Sequence, residues 1–166
     1  MITNRPLFAF ALPLALALAA SACALEVGNA APELTLPGLT DTVNLADLKG
    51  KVTYVDFWAS WCGPCKQSFP WMNAMQAKYG AKGFQVVGVN LDAKRDDADK
   101  FLAQNAVQFT LAFDPKAESA KRFGVKGMPT SVLIDRDGKV VALHAGFRED
   151  ERSALEERIA SALAAK

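Results

Sequence analysis

Lys51-Val52-Thr53-Tyr54-Val55-Asp56-Phe57-Trp58-Ala59-Ser60-Trp61-Cys62-Gly63-Pro64-Cys65 runs from an apolar, β-prone stretch straight into two cysteines three positions apart. The run Lys51 to Trp58 reads as a buried strand, and the residues after Cys62 read as the start of a helix. Pro64 suits the first helical turn, where its missing N–H costs nothing. Cys62 then stands at the helix N-terminus, beside unpaired N–H groups and the positive end of the helix dipole, both of which favour thiolate over thiol. Cys65, one turn further in, is expected to be the more buried, resolving thiol. A dithiol so placed can close and reopen, which predicts thiol–disulfide chemistry.

Half a zinc site is the competing reading of Cys-x-x-Cys, but a structural site needs four ligands at related spacings. The chain offers only Cys23, far upstream, and a single histidine, His144. Met72, Met75 and Met128 are soft enough to join the cysteines around Cu(I), although methionines in a helix and a loop usually fill gaps in a core. We expect no metal and no cofactor.

The 166 residues suffice for one domain with a sizeable core. Residues 1–22 have the pattern of an export signal: Arg5 in a short polar start, an apolar run from Leu7 to Ala20, then small residues. The run is short for a membrane span and contains Pro13. Arg5 is the one charged residue of this segment, so 18 basic would face 18 acidic residues after its removal. That balance gives no hint of nucleic acid or of an acidic partner. Ala20-Ser21-Ala22-Cys23 resembles a bacterial lipobox, with Ala20 where leucine is usual. Lipidation at Cys23, which would tether the protein to a membrane, and ordinary signal cleavage both stay open. Few cysteines in an exported chain argue against a disulfide-stapled scaffold.

Residues 23–33 read as a linker and 34–166 as a single domain. A short edge strand at Leu34–Leu36 and a second strand with a helical turn within Asp41–Leu48 precede the Val52–Phe57 strand. Pro64–Tyr79 is expected to be a helix kinked by Pro70, and Phe84–Leu91 a buried strand with close backbone approach at Gly88. Asp92–Asp99 reads as a solvated loop and helix start, and Asp96–Asn105 as an amphipathic helix. A strand at Phe109–Phe113, a short helix at Glu118–Phe123, a hairpin turning at Asp135–Gly138 and a helix at Asp150–Ala164 complete the chain. His144 falls on the hairpin as a surface or edge residue. The alternation gives an α/β domain with a mixed sheet and helices on both faces.

With these elements in place, the chain resembles the thioredoxin superfamily. Tyr54 to Lys66 is similar to the thioredoxin active-site segment, and Gly127-Met128-Pro129-Thr130 resembles the cis-proline loop. Gly28 to Lys51 resembles the opening of the TlpA/ResA/CcmG branch, and Asp92–Asp114 matches that branch's central helix–strand insertion. The resemblance implies a thioredoxin fold with an N-terminal extension and this insertion, and a cis bond at Met128–Pro129. Many relatives carry Asn at the position of Asp56, and Glu at that of Ser68. Asp56 matches the buried thioredoxin aspartate instead, and a Glu role cannot pass to Ser68.

The implied chemistry is attack by Cys62 on a protein disulfide, then attack by Cys65 on the mixed disulfide, with Asp56 as base. Gly63 and Pro64 are expected to bias the couple toward reduction. Trp61, Met128 and Thr130 are expected to meet substrate, and Pro129 to shield the dithiol. Lys66 is expected to be a solvated helix charge. The branch implies a periplasmic reductase acting on apocytochrome c, a partner in that pathway or a copper chaperone, supplied by a membrane donor of DsbD/CcdA type. A disulfide oxidase or isomerase is the alternative within redox chemistry, and a copper-delivery module the alternative outside it.

Overall fold

The computed structural model describes residues 25–165; the export-signal reading of 1–22 and the lipidation reading of Cys23 fall outside them. Strands β1 (Thr35–Pro37) and β2 (Thr42–Asn44) form a small antiparallel sheet. The central sheet comprises β3 (Val52–Trp58), β4 (Phe84–Asn90), β5 (Thr110–Phe113), β6 (Thr130–Ile134) and β7 (Val140–Ala145), in the order β5-β4-β3-β6-β7. β4 runs parallel to both β3 and β5, whereas β6 is antiparallel to β3 and β7. All seven residues of β3 are buried, five of them apolar, as befits a central strand covered on both faces.

Successive side chains of β3 point to opposite faces, and each face has its own core. Tyr54 and Trp58 pack under α1 (Gly63–Tyr79), α2 (Arg95–Gln104) and α4 (Arg152–Ala164). Val55 and Phe57 pack on the other side with α3 (Glu118–Arg122), Phe123 and the N-terminal segment. The inserted α2 is joined to the helix after the cysteines by edge-on and tilted aromatic rings. Phe101 lies 5.1 Å from both Trp58 and Phe69, and Trp58 lies 4.9 Å from Phe69. Gly88 is where that cluster comes closest to the sheet: a Cβ there would stand 2.9 Å from the Phe109 ring and 3.2 Å from the Trp58 indole nitrogen. The close approach expected at this glycine is thus an aromatic one.

Pro70 lies inside α1 without ending it, and the helix is continuous over 17 residues. Phe69, Trp71, Met72 and Met75 are all buried and hold the helix to the sheet across the missing backbone donor. Residues 28–31 are bonded to the hairpin: Gly28 N donates to Val140 O (2.8 Å), Val140 N to Asn29 O (2.9 Å) and Ala31 N to Gly138 O (2.9 Å). Asp92 departs from the solvated loop expected around it. It is buried at the end of β4, because Ser60, 32 positions earlier, turns its donors onto it.

Candidate active site

Cys62 caps α1 from an extended backbone conformation (φ −86°, ψ 104°), and Cys65 lies one turn inside. The two form a disulfide with Cα atoms 5.3 Å apart. Cys65 N donates to Cys62 Sγ at 3.3 Å, and Cys62 N donates to Ala59 O at 3.1 Å, which curls the approach to the helix. One of the helix's free N–H groups thus points at the sulfur on which negative charge would develop. Cys65 is fully buried and Cys62 is 5% exposed, so of the two residues Cys62 is the one that reaches the surface. Apart from its chain neighbours and the helix's own backbone, nothing among the described residues lies within 4 Å of where a side chain at Gly63 would begin, so the surface beside the disulfide is open there.

Around that opening the chain presents Trp61, 73% exposed, and the Gly127–Thr130 loop. The Met128–Pro129 bond is cis; Pro129 is buried and Met128 half-buried against the core that contains both cysteines. Thr130 Oγ1 donates to Gly127 O at 2.7 Å and closes the loop. Pairing of Thr130 with Phe57 brings this loop to the end of the sheet from which Ala59–Cys62 emerges. Trp58 and Trp71 are core residues.

Asp56 is buried on the β3 face that carries Tyr54 and Trp58, opposite Gly88 on β4 and Ser131 on β6. Its Oδ2 has no hydrogen-bond partner, and neither has the nearby Trp58 Nε1. Burial pushes the Asp56 carboxyl well above the usual carboxylate range. Burial also raises the Tyr54 phenol, with the Asp56 charge adding to the effect and a 2.6 Å hydrogen bond to Ser131 opposing it. A carboxyl in this setting keeps its proton where an exposed one has lost it, so it can trade a proton with a thiol near neutrality.

Ser68, which stands where many relatives carry glutamate, donates its hydroxyl to Cys65 O at 2.9 Å and acts as a buried structural group. Lys66 is exposed on α1. His144 lies on the edge strand β7, half-buried, its Nε2 3.3 Å from Glu151. Among the described residues no group of three or more His, Cys, Asp or Glu side chains is placed to hold a metal ion.

The sequence reading missed the side chains that shape the loop before Cys62. The Asp92 carboxylate accepts from Ser60 N (2.9 Å), Ser60 Oγ (2.9 Å) and Asn90 Nδ2 (2.7 Å). Asn90 Oδ1 in turn accepts from Asp92 N at 3.1 Å, and Leu91 N donates to Trp58 O at 2.9 Å. The one sequence signal was position: Asn90 and Asp92 lie at the carboxyl end of a parallel strand, where open α/β sheets place their sites.

The Redoxin family model matches residues 26–159. The thiol-disulfide oxidoreductase ResA of Bacillus thuringiensis subsp. konkukian is 36% identical over 134 residues, 80% of this chain and 76% of that protein. ResA of Geobacillus thermodenitrificans is 32% identical over 136 residues, again 80% of this chain and 78% of its own. Among solved structures, a Chlorobium tepidum protein provisionally named thiol:disulfide interchange protein DsbE superposes with a TM-score of 0.83. It is 63% identical, covering 84% of this chain and 99% of its own.

Proposed function

The chain belongs to the Redoxin family, in its ResA-like branch with a thioredoxin fold, and on that premise we propose that it is an exported, periplasmic reductase of protein disulfides. It is a thiol–disulfide oxidoreductase whose redox pair is Cys62 and Cys65. The observation that carries the reading is that pair's setting: a cysteine that reaches the surface at a helix N-terminus, a buried partner, and an open, Trp61-rimmed surface beside them. Export is supported by the pattern of residues 1–22.

In the proposed cycle the Cys62 thiolate attacks a substrate disulfide, forming a mixed disulfide and releasing one substrate thiol. Cys65, losing its proton to Asp56, then attacks Cys62 Sγ; the Cys62–Cys65 bond forms and the second substrate thiol leaves. Two electrons and two protons pass to the substrate. Trp61, Met128 and Thr130 line the substrate's approach, and Pro129 keeps bulky groups off the sulfurs. Apocytochrome c or a copper chaperone would be the substrate, with a membrane donor of DsbD/CcdA type restoring the dithiol. An oxidising compartment makes such a donor necessary.

The deciding experiment is the reduction potential of the Cys62–Cys65 couple at pH 7 in glutathione and dithiothreitol buffers. A value near that of thioredoxin, about −270 mV, supports a reductase, and one near that of DsbA, about −120 mV, reverses the direction of electron flow and overturns the reading.

A further inference from the structure

We infer that Asp92 is a positioning residue for the redox couple: its buried negative charge, held against the loop that delivers Cys62, disfavours the Cys62 thiolate and biases the couple toward reducing power. This role deepens the reductase reading and rests on it.

Every polar contact made by the Asp92 side chain is to an N–H or O–H donor, the pattern of an ionised carboxylate acting only as acceptor. Two of those donors belong to Ser60, and Ser60 and Cys62 are two positions apart, at most about 7 Å between their Cα atoms. The Cys62 N to Ala59 O bond curls that segment further. The carboxylate is therefore held directly against the loop that delivers Cys62, two positions before it, and over such short distances salt screens a buried charge little. Asp92 is 5% exposed, so solvent screens it little.

Among the described residues no cation pairs with this charge. Lys66 on α1, Lys94 before α2 and Lys126 before the cis-proline loop are exposed, and none makes an ion pair with Asp92 among the described residues. Arg95 is engaged by Asp99 and lies over the Phe113 ring. Asp114, at the end of β5, is bound to Ser119, and burial pushes the Asp56 carboxyl well above the usual carboxylate range, which weakens its charge as a competitor.

The consequence for the couple has a definite sign. The disulfide carries no charge, so the Asp92 carboxylate leaves it alone. In the reduced protein it opposes ionisation of Cys62. A less stable thiolate means a less stable reduced form, and hence a couple that gives up its electrons more readily. DsbA shows the opposite limit, an oxidant because its reduced form is stabilised. The effect exists only where Cys62 ionises, so it fades at low pH.

The test is the equilibrium of full-length protein with reduced and oxidised glutathione, in which the Cys62–Cys65 disulfide and two glutathione thiols exchange for the dithiol and one glutathione disulfide. Asp92→Asn removes the charge and keeps the size. It is expected to shift the equilibrium toward the dithiol by about three- to tenfold at pH 8, tenfold being about 30 mV for this two-electron couple, and by almost nothing at pH 5. Ser60→Ala keeps the charge, loses one hydrogen bond and should stay within twofold of the parent at both pH values. Asp92→Ser takes the place of Asp92→Asn if the latter does not fold, with the same expected gap. A shift of equal size at pH 5 and pH 8, no shift, or a Ser60→Ala shift as large as that of Asp92→Asn overturns the inference. A parent protein that does not exchange with glutathione at all takes down the proposed function with it, whereas normal exchange with an unshifted variant removes Asp92 alone.

Discussion

Asp56 in the central strand β3 and Asp92 beside the loop leading to the disulfide are buried almost equally, at 2% and 5% exposure, yet their surroundings treat them oppositely. Asp56 faces an apolar core with one oxygen unpartnered, so desolvation raises its pKa and makes it a stronger base than an exposed carboxylate. Asp92 is met by three donors that only a carboxylate acceptor satisfies together. Burial alone therefore does not decide whether an aspartate carries a proton or a charge; the donors that the fold aims at it do. In the proposed cycle Asp56 would serve Cys65 as a proton acceptor, and in our inference Asp92 acts on Cys62 through its charge.

The comparison presupposes that Cys62 is the attacking sulfur. Cys62→Ser should lower insulin reduction by at least about a thousandfold, since a hydroxyl does not replace a thiolate nucleophile. Cys65→Ser should still attack once and then accumulate a mixed disulfide, visible by mass. Retained turnover in Cys62→Ser would reverse the assignment.

Next in size is the kinetic role of Asp56. Asp56→Asn should slow resolution of the mixed disulfide about a hundredfold at pH 7, within the range of general-base effects, while first attack changes less than about threefold. Rapid-quench separation of the two steps decides it, and equal slowing of both would deny Asp56 a specific part.

Stability should divide the two aspartates by sign. The folded pKa of Asp56 is raised, so its contribution is complete below the unfolded value near 4 and is lost as pH rises toward the folded value. Asp56→Asn should thus be near parent stability at pH 4 and more stable at pH 8, by about 1–3 kcal/mol, the cost of an unsatisfied buried group. Asp92→Ala should instead be destabilised at pH 7 by about 2–3 kcal/mol, because Ser60 and Asn90 lose their acceptor. Urea unfolding at each pH measures both, and shifts of the same sign would erase the distinction.

The smallest effect is expected at the rim. Trp61 is largely exposed, so Trp61→Ala should change stability by less than about 0.5 kcal/mol. Its KM for a protein disulfide should still rise severalfold if it meets substrate, and an unchanged KM would confine recognition to the loop around Pro129.

Much of this was legible in the chain because the signals are local. The spacing Cys62-Gly63-Pro64-Cys65 after a seven-residue, mostly apolar run placed the dithiol at a strand–helix junction, and periodicity located the other helices and strands to within a few residues. Asp56 was legible too, since polarity inside a central strand announces a buried ionisable group. Asp92 was not. Read among Lys94, Arg95, Asp96 and Asp97, it has the composition of a solvated turn, and its neighbours in sequence say nothing of Ser60.

The sequence by itself therefore determined the elements and the redox pair, because helix capping and strand burial are short-range consequences of residue type. Only the tertiary structure decided which donors meet each buried carboxyl and which loop Asp92 grips. Those outcomes depend on donors 2 and 32 positions away converging on one side chain, and no window along the chain contains that meeting.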